Sequence, residues 1–137
     1  MDFDGCKAAL FVEGKLLVFL RDDKPGLRFA NLWDFPGGGR EGNETPIETI
    51  TREIQEEFGI TLKQEAFVWQ KAFPAMHDAN LTGIFLVGNL TPEDVSQIQF
   101  GEEGQRWRLM SVDEFLSRDD VVPKLKDRLQ DYFSSKN

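Results

Sequence analysis

Apolar positions along the chain fall into short runs separated by polar or glycine-containing breaks, and the breaks set the order of elements. Cys6–Val12, rich in Ala, Leu, Phe and Val, predicts a strand. Glu13-Gly14 is a tight turn, and Lys15–Leu20 is a second strand, so the two read as a hairpin. The stretch from Arg21 to Asn31 contains Asp22, Asp23, Lys24, Pro25 and Gly26 and reads as a polar loop. Leu32–Phe35 predicts a short strand, stopped by Pro36 and by a turn at Gly37-Gly38-Gly39.

The period then changes. Ile47, Ile50, Ile54 and Phe58 recur at helical spacing, which predicts a helix with one face in a core. Its ends are marked: Thr45 as N-cap, Pro46 at the first helical position, Glu48 to complete a capping box, and Gly59 as left-handed C-cap. Strands are expected over Ala66–Phe73, Leu81–Asn89 and Arg106–Met110, with a loop over Gly101–Gln105. Ser111 caps a short helix through Leu116. A last helix is expected over Val121–Phe133, with Val122, Leu125, Leu129 and Phe133 on one stripe and Pro123 in its first turn. This order predicts a mixed α/β (α+β) class. Without internal repeat, linker or low-complexity tract, residues 1–137 read as one domain, long enough for a real core.

Composition narrows the function classes. The chain is 40% hydrophobic and 29% charged, with a net charge of −8. No apolar run approaches the roughly 20 residues that cross a bilayer, and the acidic start lacks the basic end of a signal peptide, so no membrane is expected and the cytoplasm fits. The single cysteine, Cys6, sits in an apolar run and reads as a buried structural thiol. An acidic chain repels a polyanion, which argues against a nucleic-acid duplex as partner. It also repels a phosphorylated small molecule unless a cation intervenes, which favours metal-bridged binding.

The predicted first helix carries the chemistry. At about 100° per residue, Glu57 lies about +40° and Glu56 about −60° from Glu53, so three carboxylates share one arc beside the apolar stripe. Like charges at i, i+4 cost a few tenths of a kcal/mol, about, and Arg52, which can reach Glu56, cannot neutralise three acids. A hard divalent cation can, since Mg²⁺ takes oxygen ligands from one or two carboxylates plus substrate phosphates. The preceding glycines leave backbone uncovered, able to approach a phosphate or lend a carbonyl.

The spacing of Gly38, Glu44, Arg52, Glu53, Ile54, Glu56, Glu57, Gly59 and Ile60 resembles the Nudix box, G-x5-E-x7-R-E-U-x-E-E-x-G-U with U aliphatic, at every position over 38–60. Leu32-Trp33-Asp34-Phe35-Pro36-Gly37-Gly38 and Gly101-Glu102-Glu103-Gly104-Gln105 resemble stretches of the MutT-like branch. The resemblance implies an α/β/α sandwich with a mixed curved sheet between helices. It also implies a hydrolase of a nucleoside diphosphate linked to another group, dependent on Mg²⁺ with Mn²⁺ as an alternative ion. By position, Glu53, Glu56, Glu57 and Glu103 would be metal ligands, with the Gly38 carbonyl adding one. Arg52 would orient the carboxylates, and Glu44 would support the loop or contact the metal through water. Glu103 or Glu53 would be the general base.

The substrate is a small nucleotide on this reading. Phe35 could stack on a base or fill core, and Arg21 and Arg28 could meet phosphates or be plain surface arginines. The stretch Ser117-Arg118-Asp119-Asp120-Val121 lacks the Asn with which 8-oxoguanine-specific relatives read the base, although Asp119 or Asp120 could accept from a purine edge. Pro74 stands near a Pro of ADP-ribose hydrolases, which makes ADP-ribose or another nucleotide sugar the alternative substrate. His77, the only histidine, lacks partners for a nucleophile or zinc site. Trp33, Trp69 and Trp107 read as core. A non-catalytic nucleotide sensor is the rival from another class, but the box is intact. A Ca²⁺-binding module lacks the D-x-[DN]-x-[DN]-G loop.

Overall fold

Strands that are apolar on both faces need cover on both sides, and the fold supplies it. The computed structural model describes residues 2–136. Strand β1 (Gly5–Val12) sends Cys6, Ala8, Leu10 and Val12 into one core and Ala9 into another, and β2 (Lys15–Leu20) splits Leu17 and Phe19 from Leu16, Val18 and Leu20. Helix α1 (Pro46–Phe58) covers the first face with Ile50, Ile54 and Phe58. On the second face lie α3 (Val112–Ser117), through Phe115, and α4 (Leu125–Ser135), through Leu125, Leu129 and Tyr132. Each fully buried side chain contributes about 1.5–3 kcal/mol. The result is the expected sandwich, a mixed seven-stranded sheet between helices.

The sheet forks. β1 and β2 pair antiparallel at Phe11↔Leu16 and Val12↔Lys15, and then diverge. On its other side β1 pairs parallel with β6 (Thr82–Asn89), which pairs antiparallel with the edge strand β5 (Phe67–Pro74). β7 (Arg106–Ser111) lies along the far side of β2. The fork between β1 and β2 is filled by one segment. Its β3 (Trp33–Asp34) pairs with Phe19 and Leu20 of β2, and its β4 (Gly37–Gly39) pairs with Gly5, Cys6 and Lys7 of β1. Phe35 and Pro36 join the two, and the Pro36 carbonyl accepts from the Ala8 amide at 2.9 Å.

The glycine triplet, expected as a turn, is therefore a strand; long-range pairing with β1 overrides the local turn preference of glycine. The last helix begins at Leu125 rather than Val121. Residues before it are extended against the fork: the Trp33 amide donates to Asp120 O and the Val122 amide to Trp33 O, both at 2.9 Å. Pro123 disfavours a helical Val122, and Lys124, at φ 77°, makes the bend into α4. A short helix α2 (Pro92–Ser96), capped by Thr91 and Asp94, was not anticipated, though its Thr-Pro start repeats that of α1.

The ends of α1 match the sequence reading. The Thr45 hydroxyl accepts from the Glu48 amide at 3.2 Å, and the Glu48 carboxylate accepts from the Thr45 amide at 2.8 Å. Gly59, at φ 70°, donates to Gln55 O. Replacing Thr45 by Ala removes one side of the box and is expected to lower unfolding stability by about 1 kcal/mol. A denaturant midpoint unchanged from wild type would show that the cap contributes nothing.

Candidate active site

The carboxylates of α1 reach the open end of the fork, where they meet the glycine strand and the loop before β7. A cleft of about 430 Å³ lies there, lined by Glu53, Glu57 and Glu103 with Gly37, Gly38, Lys7 and Arg21. Glu103 faces the helix from the β6–β7 connection. Its charge is among those that raise Glu53, which places the two acids within electrostatic reach.

Arg52 holds one side of the site. Its Nε and Nη2 donate to the two oxygens of Glu44 at 2.7 and 3.0 Å, Nη1 donates to Glu53 at 2.8 Å and to Glu56 at 3.0 Å, and Nη2 also donates to Gly39 O at 2.7 Å. Glu44 is held further by the Glu41 amide at 2.9 Å and the Thr49 hydroxyl at 3.0 Å. These donors, Arg52 first, pull the Glu44 carboxyl down to about 2. Arg52 in turn is held firmly protonated by Glu44 and Glu53. Through these bonds Arg52 and Glu44 join the loop before α1 to the helix and to two of its carboxylates.

The glycine strand sets how close α1 comes. A Cβ on Gly38 would stand 2.1 Å from Glu53 Oε1, and one on Gly37, at φ 149°, would stand 2.0 Å from Cys6 O. No side chain fits at either place. The Gly37 amide donates to Glu57 Oε1 at 3.0 Å, and the Gly39 carbonyl faces Arg52, so both residues turn their polar groups toward α1. By strand alternation the Gly38 carbonyl turns the other way, toward β1. The carbonyl on the carboxylate side is that of Gly37, which corrects the expectation for Gly38.

Burial dominates the charge state of the cleft acids. It pushes the Glu57 carboxyl up to about 8, against the opposing pull of Lys7 and the Gly37 amide, and it raises Glu53 against the pull of Arg52. Among the described residues no three acidic, histidine or cysteine side chains converge on one point; each helix acid leans on a protein donor. Glu56 leans furthest, its carboxylate drawn to Arg52, half exposed and outside the cleft lining. The donor set nonetheless suits a hard divalent cation: carboxylate oxygens of Glu53, Glu57 and Glu103, and a stretch of bare backbone. Desolvated like charges hold protons too tightly, and a cation relieves that cost.

Two residues that sequence reasoning left without a role complete the site. Asp34 is 1% exposed and accepts from Lys7 Nζ at 2.7 Å, from Arg21 Nη1 at 3.0 Å and from the Phe35 amide at 2.8 Å. Lys7 and Arg21 thereby stand at the mouth of the fork. The signal was a lysine inside the apolar run Cys6–Val12. Beyond them lies a second cleft, about 220 Å³, that shares Lys7, Arg21 and Gly38 with the first and is walled by Asp34, Phe29, Met76, Ile84, Val122 and Arg128. His77, read as incidental, sits on its rim, 3.1 Å from Asp4.

The other substrate assignments divide. Arg21 lines both clefts and Arg28 the second one. Phe35 does not stack on a ligand: it has no exposed surface and lies against Phe115 at 4.8 Å between centroids, because the chain crossing the fork turns it into the core. Asp119 lines neither cleft and is exposed on the connection before α4. Cys6 is buried as expected, with burial pushing its thiol up to about 12.

The raised Glu57 has a consequence for stability. The unfolded chain loses this proton in the ordinary carboxylate range and the folded chain only near pH 8. Between those values the native state binds more protons, so stability falls as pH rises. With chelator present, the melting temperature is expected to fall from pH 5 to pH 8, and Glu57→Gln to flatten that slope and melt higher than wild type at pH 8. Scanning calorimetry at several pH values checks this, and a slope untouched by the substitution contradicts it.

Comparison with known proteins gives the family. The NUDIX domain model matches residues 7–132. An 8-oxo-dGTP diphosphatase of Escherichia coli is 34% identical over 116 residues, covering 80% of this chain and 85% of that protein. An RNA pyrophosphohydrolase of Acidiphilium cryptum is 33% identical over 119 residues, covering 84% of this chain and 62%, under two thirds, of that protein. A MutT protein from Methanosarcina mazei superposes with a TM-score of 0.76 over 99% of this chain and 96% of that one, at 21% identity, which is a likeness of fold. The chain belongs to the Nudix family.

Proposed function

We propose that the protein is a Mg²⁺-dependent pyrophosphohydrolase of nucleoside triphosphates, or of related nucleoside diphosphates joined to another group. It releases a nucleoside monophosphate and pyrophosphate, or the phosphorylated group. As a Nudix hydrolase it acts on phosphoanhydride bonds. The observation that carries the finer reading is the pair of adjoining clefts: one lined by carboxylates, one mostly apolar, joined at Lys7, Arg21 and Gly38. That arrangement suits a molecule with an anionic chain at one end and a flat, weakly polar group at the other. The relatives named for 8-oxo-dGTP and RNA pyrophosphate chemistry support the same class.

Within this reading Glu53 and Glu57 hold Mg²⁺ or Mn²⁺, with Glu56 joining when it leaves Arg52. A bound divalent ion supplies charge neutralisation on the phosphates and acidifies water. The protein does the rest. Lys7 and Arg21, kept in place by Asp34, meet phosphate oxygens where the clefts join. Glu103 takes the proton of the attacking water. Of the two candidate bases it is the better placed, because among the described residues it has no ion-pair or hydrogen-bond partner, whereas Glu53 is committed to Arg52. Arg52 keeps Glu53 aimed across the cleft. The Pro74 carbonyl is occupied by Arg128, so that residue gives ADP-ribose no particular support.

Purified protein with Mg²⁺ and a nucleotide panel, resolved by chromatography, tests the reading. Nucleoside monophosphate plus pyrophosphate is the expected product pair. AMP plus ribose phosphate from ADP-ribose alone would replace it with the nucleotide-sugar activity, and tight binding without turnover would make the protein a sensor. Glu57→Gln is expected to lose about 10²-fold or more in kcat with the fold intact, and Glu103→Gln about 10²–10⁴-fold. Turnover near wild type in Glu103→Gln, with Glu53→Gln inactive, would transfer the base role to Glu53.

A further inference from the structure

One cation in the second cleft is not explained by packing or by charge pairing. Arg128, on α4, is 6% exposed, yet no carboxylate lies within ion-pair distance of it among the described residues. Burial lowers its proton affinity, opposed by the charge of the neighbouring Asp127 along the helix. A buried arginine without an acid is costly, because its hydration is lost and nothing ionic replaces it.

Its hydrogen bonds account for part of the guanidinium. Nη2 donates to Pro74 O at 2.7 Å, and the group lies 5.1 Å from the centre of the Phe73 ring, so β5 fixes both its position and its plane. Nε and Nη1 make no hydrogen bond within the protein among the described residues. Yet no fully buried side-chain nitrogen or oxygen there lacks a partner. Those two nitrogens therefore touch open space, and the space Arg128 borders is the second cleft. It is a planar group, nine-tenths buried, lining that cleft with N–H groups left unspent, and a two-pronged contact is open to it where the second N–H of Nη2 acts with that of Nε or Nη1.

We propose that Arg128 is the base-reading residue, donating from the cleft wall to the O6 and N7 acceptors of a 6-oxopurine. This rests on the hydrolase reading for placing the nucleoside in the second cleft. A planar fork of N–H donors matches two adjacent acceptors on one edge, which guanine and hypoxanthine offer and adenine does not, since its amino group takes the place of O6. A phosphate would be the other ligand for a guanidinium, and Lys7, Arg21 and Arg28 also line the cleft, but Lys7 and Arg21 are paired with Asp34 where the two clefts join. The apolar walls Phe29, Met76, Ile84 and Val122 suit an uncharged ring beside Arg128, and Asp4 and Asp34 disfavour a second dianion there. The bound base would take the unspent donors and end the isolation of the buried charge.

The test varies the ligand before the protein. Wild-type protein is titrated calorimetrically with GMP, IMP, AMP and 7-deaza-GMP, and kcat/KM is measured with Mg²⁺ for GTP, ATP and 7-deaza-GTP. GMP and IMP are expected to bind about tenfold or more tightly than AMP and 7-deaza-GMP, with the same ranking in kcat/KM. Arg128→Lys, a point charge without the fork, is expected to erase the difference between GMP and 7-deaza-GMP. If that variant does not fold, the wild-type contrast decides alone. Equal behaviour of the 7-deaza ligands in wild type, in binding and in kcat/KM, overturns the assignment, as does a folded Arg128→Lys that keeps the preference. Discrimination among monophosphates with no triphosphate hydrolysed leaves Arg128 in its role and defeats the hydrolase reading. Hydrolysis at equal kcat/KM across bases does the reverse.

Discussion

The site depends on a place where no side chain can stand. β4 passes between β1 and α1 as three glycines, and a Cβ on either of the first two would come to about 2 Å from Cys6 O or Glu53 Oε1. That clearance lets the helix carry its carboxylates to the mouth of the fork and lets backbone amides face them. A single methyl group would drive α1 outward or turn Glu53 away. Gly38 is thus fixed by the closeness of the Glu53 side chain on α1, and Gly37 by the closeness of the β1 backbone and by its own backbone angle.

Bringing acids this close sets an electrostatic problem that the protein solves on one side only. Arg52 gathers Glu44, Glu53 and Glu56 and ties them to the Gly39 carbonyl. Asp34 gathers Lys7 and Arg21 on the opposite wall. Between them Glu57 receives one backbone amide and remains poorly solvated, which is why it holds its proton so tightly. A protein selected for stability alone would replace such a carboxylate with an apolar group of similar size. Its retention at the cleft mouth makes sense if charge at that point is wanted when a cation arrives.

The sequence made α1 legible almost residue by residue, because capping chemistry and helical periodicity are local. It made the acids legible as a set because their spacing is a one-dimensional property of a helix. It could not show which of them face the cleft. Glu56 is diverted by Arg52, and that outcome depends on where Gly39 and Glu44 bring the loop. The glycine strand and the late start of α4 were illegible for the same reason: both are extended segments held by partners distant in sequence, β1 for one and Trp33 for the other. Phe35 was left open between base and core because adjacency to the glycines says nothing about which side of the crossing a side chain takes; the fold puts it in the core. Lys7 and Asp34 were visible as polar residues in apolar surroundings, but their meeting across the fork is a tertiary fact.

Arg52 and Arg128 show how one side chain type serves opposite ends. Arg52 spends its donors on carboxylates and a carbonyl, so it has little left for a ligand and acts as a clasp. Arg128 is more buried, has no acid within ion-pair distance among the described residues, and spends one bond on a neutral carbonyl. The first arrangement is stable by itself. The second is incomplete by itself, since a buried charge with unused donors is satisfied only by water or by a ligand. An incompletely satisfied group in an otherwise satisfied interior is the feature that binding can exploit, because the ligand then repairs a deficit and a wrong ligand leaves it in place. Selectivity built this way comes from the penalty on the mismatched base, and it needs no added attraction for the right one.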